Sequence, residues 1–162
     1  VNLIGNGALT LLQNPQQLAL LREDPMLWEG AIEELLRYDG PVETSTSRWA
    51  CKDIDLDGHK IRRGDLVRVV LASANRDPDQ FEKPDEVRIT RSDNKPLAFG
   101  YGVHYCLGSP LARLEGKIAL QTMFDRLDDL RLKSPDDQLI WRTGVLFRGL
   151  QRLDVRWGNR NT

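Results

Sequence analysis

Ten consecutive residues, Phe99-Gly100-Tyr101-Gly102-Val103-His104-Tyr105-Cys106-Leu107-Gly108, constrain this chain more than any other stretch. Gly100, Gly102 and Gly108 break any regular element there, because glycine loses more conformational freedom on ordering than any other residue. The segment Leu107 to Leu127 then reads as a long helix, with Leu111, Leu114, Ile118, Leu120, Phe124 and Leu127 as its inner face. A glycine loop therefore feeds a helix N-terminus, and one thiol, Cys106, sits at the junction. Free backbone N–H groups and the positive end of a helix favour thiolate over thiol. A cysteine before a helix is commonly a small buried hydrophobe. Here the three glycines also let the backbone approach a flat partner with no Cβ between them, which suits a ligand better.

The rest of the chain alternates helix with short strand. Asn2 to Gln13 begins without a cap, as though mid-helix, and Asn14-Pro15 restarts a short helix that ends near Asp24-Pro25. Met26 to Tyr38 carries Leu27, Ala31, Ile32, Leu35 and Leu36 at helical spacing, and Gly40-Pro41 stops it. From Thr44 the period shifts towards two. Ile54 to Leu56 and His59 to Ile61 flank Asp57-Gly58, a strong hairpin signal. Leu66 to Leu71 reads as a strand, Asn75 to Gly102 as a long irregular segment of the kind usually kept for function, and Leu153 to Trp157 as a closing strand. Helices with small antiparallel sheets and no βαβ alternation give an α+β fold class.

Composition narrows the function. With 162 residues and a net charge of -1, nothing suggests a nucleic-acid partner. No apolar run approaches the about 18 residues a spanning helix needs, so no membrane association is expected. Two cysteines, Cys51 and Cys106, are too few for a disulfide scaffold and fit a reducing cytoplasm. The first residue is Val, so the start resembles a cut edge.

The pattern Phe-x-x-Gly-x-His-x-Cys-x-Gly, present as Phe99, Gly102, His104, Cys106 and Gly108, resembles the haem-binding signature of cytochrome P450. Glu34-Leu-Leu-Arg37 resembles the family's Glu-x-x-Arg pair. Thr46 to Ala50 resembles the strand whose arginine binds a haem propionate, and Ala74 to Pro78 and Arg148 to Leu150 also match. The resemblance covers essentially the whole chain and is closest to the soluble bacterial branch. It implies a mostly helical cytochrome P450 fold with small antiparallel sheets, residues 1–162 being the C-terminal part of one domain whose N-terminal part is missing. It implies haem b, with Cys106 as the axial ligand, Arg48 and His104 at propionates, Phe99 shielding the sulfur, and Gly100 and Gly108 shaping the loop. Glu34 and Arg37 would brace the fold beneath the haem. Val42, Glu43 and Thr44, with Leu146 between Val145 and Phe147, would line the substrate pocket. The activity implied is insertion of one oxygen atom of O2 into a small organic substrate, with electrons from a ferredoxin or flavodoxin and its reductase. A peroxide-driven peroxygenase and a truncated, non-catalytic piece are the alternatives.

Two departures from the family pattern bear on the site. Counting from Phe81 and Pro84, the arginine expected to complete a triad with Glu34 and Arg37 is replaced by Glu86, and the aromatic after it by Val87. An acid beside Glu34 would repel it, so either Arg88 or Arg91 swings in, or backbone carbonyls alone hold the pair. Pro96 stands where related sequences often carry His. At the front, Asn2 to Asn6 resembles the stretch just after the family's acid-alcohol pair, which places that pair outside this chain.

Other residues have plainer readings. Cys51 is expected in packing and His59 as a solvated hairpin residue. A zinc site from Cys51, His59, His104 and Cys106 is disfavoured, because its ligand gaps, eight positions and then two, do not match zinc motifs. Arg62, Arg63, Arg113 and Lys117 are candidates for a basic patch facing an acidic redox partner, or are scattered solvated charges.

Overall fold

The structure is a computed structural model that describes residues 1–133 and 139–158. Its centre is three helices: α1 (Asn2–Gln13), α3 (Trp28–Asp39) and α5 (Ser109–Arg126). A short α2 (Pro15–Glu23) and a 3₁₀ turn (Pro25–Leu27) link the first two. Pro15 sits in the first turn of α2, where a missing N–H costs nothing.

The core lies where the three helices meet. From α3, Trp28, Ala31, Ile32, Leu35 and Leu36 point inward with the spacing of one helical face. They meet Leu3, Ala8 and Leu11 of α1 and Leu120 and Phe124 of α5, and Trp28 stacks on Phe124 with centroids 6.3 Å apart. Each such large side chain contributes roughly 1.5–3 kcal/mol by leaving water. α1 is buried on nearly every side, with Asn6 and Thr10 enclosed along with its leucines. The Asn6 side chain donates to the backbone oxygens of Asp39 and Arg148, tying α1 to the end of α3 and to the C-terminal segment.

α5 departs from its expected inner face. Ser109, Gly116, Leu120 and Phe124 face the core, whereas Leu111, Leu114 and Ile118 are exposed. At about 100° per residue these sets lie on opposite sides, so the helix has two apolar stripes and only one is covered by the described residues. A search for one inward face merges them.

Among the described residues, three two-stranded antiparallel sheets complete the fold. β1 (Arg48–Trp49) pairs with β4 (Leu66–Val67), β2 (Ile54–Leu56) with β3 (His59–Ile61), and β5 (Arg131–Leu132) with β6 (Val155–Arg156). The β2–β3 hairpin turns at Asp57 and Gly58 with φ of 50° and 82°, the left-handed pair such a tight turn requires. The strand expected over Leu66 to Leu71 stops early. Val69 and Val70 pair instead with Ser45 and Thr44, one contact running through the Ser45 hydroxyl, and a short helix, α4 (Leu71–Ala74), follows.

Candidate functional site

The site has a buried brace and an open loop. The brace begins on α3, where Glu34 and Arg37 are 0 % and 1 % exposed. One helix cannot bury such a pair unless something covers it, and the cover is the irregular segment after α4. Arg37 donates Nε and Nη2 to the two Glu34 carboxylate oxygens, each at 2.8 Å. Its remaining N–H groups reach the carbonyls of Asn75 (3.0 Å), Pro84 (2.8 Å) and Glu86 (3.0 Å). The guanidinium thus satisfies backbone groups that regular structure would otherwise satisfy.

Glu34 is answered from the same segment. Arg91 Nε lies 3.2 Å from Oε2, Asn94 Nδ2 lies 2.9 Å from Oε2, and the Arg88 amide lies 2.8 Å from Oε1. Burial pushes the Glu34 carboxyl up, but hydrogen bonds from Arg37, Arg88 and Arg91 and the Arg37 charge outweigh it, so the group lies below the ordinary carboxylate range. Arg91 is therefore the third member of the triad, and Glu86 does not stand in its place. Glu86 contributes only its carbonyl, while its carboxylate turns outward to Lys83 at 3.3 Å. The Arg88 side chain points to Glu82, so its role is its amide. Of the two arginines expected to swing in, Arg91 does so; Asn94 has no sequence signal beyond lying three residues after Arg91.

The brace leads directly into the loop. Buried Asn75 accepts from the Leu97 amide at 2.7 Å, fixing the residues just before Phe99. Gly100 and Gly102 then take φ of 75° and 72°, the left-handed region that favours glycine. The Cys106 amide donates to the Phe99 carbonyl at 3.0 Å, closing the loop, and the Cys106 carbonyl accepts from the first amide of α5 at 3.2 Å. Gly108, with φ of -80°, needs no special freedom, and a Cβ there would sit at ordinary contact, 3.8 Å from the Cys106 sulfur.

Every residue from Tyr101 to Gly108 is exposed, Val103 and Leu107 almost completely (98 % and 99 %). A Cβ at Gly102 would meet nothing within 4 Å, so this side of the loop is open for a flat partner. Arg48 on β1 and His104 in the loop are exposed, and their side chains make no hydrogen bond or ion pair among the described residues. An exposed thiol two residues from an exposed imidazole, with an exposed guanidinium elsewhere on the described surface, has the chemistry to hold a metal porphyrin carrying carboxylates. No hydrogen bond ties Arg48 to the loop. Phe99 is packed against the core, with the Arg113 guanidinium over its ring at 4.6 Å.

The two segments expected at a substrate pocket come together. Val42 pairs with Phe147, the Glu43 amide donates to the Leu146 carbonyl at 3.0 Å, and the Thr44 hydroxyl donates to the Val145 carbonyl at 2.8 Å. Val145 and Phe147 remain exposed.

One other expectation changes. Cys51 is exposed in a bend, not packed, on a stretch where both β1 residues are exposed as well. Cys51, His59, His104 and Cys106 do not gather, and no group of three or more metal-ligating side chains of this kind exists among the described residues. Two of the four basic residues are ion-paired between helices. Arg113 is held by Glu33 and Lys117 by Glu29, while Arg62 and Arg63 lie at the end of the β2–β3 hairpin, their amides capped by Asp65 and Asp53. The Glu33 hydrogen bonds hold Arg113 protonated well above its ordinary range, and hydrogen bonds from Ser109 and Arg113 draw the Tyr105 phenol below its own. Among the described residues no helix is long and apolar enough to cross a membrane.

The chain is similar to known proteins over nearly its whole length. The family model described as cytochrome P450 matches residues 19–148. The cytochrome P450 monooxygenase PikC of Streptomyces venezuelae is 48% identical over 157 residues, covering 97% of this chain and 38% of that protein. The solved structure of PksS, the cytochrome P450 of the Bacillus subtilis bacillaene polyketide synthase, is 44% identical and superposes with a TM-score of 0.93, over 98% of this chain and 41% of its own. A Bacillus subtilis biotin-biosynthesis cytochrome P450 is 49% identical over 157 residues. This chain spans about two fifths of the length of the relatives it matches.

Proposed function

The chain belongs to the cytochrome P450 family, and on that footing we propose that its Cys106, as thiolate, would hold the iron of a haem b in a monooxygenase. The whole protein would insert one oxygen atom of O2 into a small organic substrate, taking two electrons from a ferredoxin or flavodoxin and its reductase. Residues 1–162 would be the C-terminal part of a single domain. A reducing cytoplasm suits an exposed ligand thiol accompanied by a second exposed thiol, Cys51.

The observation that carries this reading is the exposed Cys106 on a loop opened by two left-handed glycines, with Arg48 and His104 free to meet carboxylates. Haem, when bound, supplies the activation of dioxygen that no side chain provides. Cys106 would supply the negative charge that sets the donor strength of the site. Arg48 and His104 would hold the propionates, and Gly100 and Gly102 would keep the loop backbone free of side chains on the approach side. Phe99, seated on the core and bonded through its carbonyl to the Cys106 amide, would keep water from the sulfur. Glu34, Arg37 and Arg91 would fix the irregular segment that carries the loop. Val42 to Thr44, joined to Val145 to Phe147, would form one wall for the substrate.

The test is absorbance of the intact protein, reduced and exposed to carbon monoxide. The reading expects the strongly red-shifted Soret band of a thiolate-ligated haem, lost in Cys106→Ala and kept in Cys51→Ala. Haem without that band in the wild type would reject it.

A further inference from the structure

Two ion pairs bridge α3 to α5, and they differ in what else they touch. Lys117 reaches Glu29 at 3.0 Å and stops there. Arg113, one turn earlier on α5, is held by both oxygens of Glu33 at 2.5 and 3.1 Å. Its third nitrogen donates to the Tyr105 hydroxyl at 3.1 Å, and its carbon lies 4.6 Å from the centre of the Phe99 ring. Tyr105 immediately precedes Cys106, and the Phe99 carbonyl accepts the Cys106 amide. One planar group thus grips the sulfur-bearing loop at both ends, while a glutamate from another helix sets its orientation. The loop between those grips is exposed and has few bonds of its own.

We propose that the Glu33–Arg113 pair is a positioning device for the Cys106 loop, through which α3 fixes where the sulfur sits. The proposal rests on the haem-thiolate reading above. A guanidinium suits the task because its rigid fork satisfies a carboxylate with two nitrogens and still presents a third nitrogen and a flat face. Lysine, a point charge on a flexible stem, could keep the ion pair but not all of the grips. Glu33 and Arg113 touch no reacting atom in this role.

The experiment follows loss of the red-shifted Soret band of the reduced, carbon-monoxide-bound intact protein during mild warming, beside a circular-dichroism melt. Arg113→Gln and Glu33→Gln are expected to lose the band roughly tenfold faster than wild type, the ratio set by one charge-assisted contact. Arg113→Lys is expected to fall between them and wild type. Glu29→Gln and Lys117→Gln remove the neighbouring bridge between the same helices and are expected to lose the band at the wild-type rate. Arg113→Gln decaying at the wild-type rate, or the control variants decaying as fast as Arg113→Gln, would overturn the positioning role. Should global unfolding run ahead of band loss in Arg113→Gln, Glu33→Gln and Arg113→Lys decide: decay of both at the wild-type rate also overturns it. A wild type that never shows the band would reject the haem-thiolate reading itself, a failure separate from an insensitive Arg113.

Discussion

The buried brace and the Cys106 loop are joined in sequence and opposite in construction. Around Glu34 and Arg37, two nearly solvent-free charges are met by two further side chains, three carbonyls and an amide. From Tyr101 to Gly108 every residue is exposed, and a few backbone bonds hold the course of the chain. The difference teaches where order comes from in a segment without helix or strand. A buried ion pair is a weak source of net stability, since desolvation offsets much of the attraction, but it is costly to break and so specifies one arrangement. The brace uses that cost to fix the loop's entry and leaves the loop's outer face free for a ligand.

Breaking the brace gives the largest expected effect. Arg37→Ala leaves Glu34 buried without its main partner and strips a donor from three carbonyls, so a loss of about 3–5 kcal/mol is expected from urea denaturation. Arg91→Ala removes a nearly buried contact to Glu34 and is expected to cost about 2–3 kcal/mol, whereas Arg88→Ala, which keeps the amide, should stay within about 0.5 kcal/mol. Equal costs for the two would place the triad arginine elsewhere.

Acid sharpens the same contrast. Glu34 titrates in the fold below its unfolded value near 4.5, so its contribution is fully present above that pH and is lost as pH falls through the folded value. Urea midpoints measured across roughly pH 3 to 6 should therefore fall on the acid side, and less steeply in Arg91→Ala, whose folded and unfolded values lie closer together. The loop is expected to answer backbone changes instead. Gly102→Ala, at a φ of 72°, should cost about 1 kcal/mol in the same assay. Smallest of all, Glu86→Ala should change stability by less than about 0.5 kcal/mol, since its carboxylate faces solvent; a larger change would restore it as a brace residue.

Much of this was legible from residues alone. The periodicity of α3, the stop at Gly40-Pro41 and the Asp57-Gly58 hairpin are local signals, and the structure follows them. The family resemblance carried by Phe99 to Gly108 was specific enough to name the family before any geometry. What escaped was set by contacts distant along the chain. Arg91 was expected as one of two candidates, and only the fold decides between it and Arg88; Asn94, 60 residues from Glu34, was not anticipated at all. Leu111, Leu114 and Ile118 were merged with the core stripe because periodicity shows that a residue is apolar, not which element lies opposite. Residue type alone suggests packing for Cys51, whereas the chain around β1 lies at the surface of the described residues.

Iron K-edge X-ray absorption of the intact, haem-loaded protein tests the central claim most directly, because it reads the atoms bound to the metal. The account predicts one sulfur neighbour that disappears in Cys106→Ala and persists in Cys51→Ala. A first shell of nitrogen and oxygen alone, or a sulfur that survives Cys106→Ala, would contradict it.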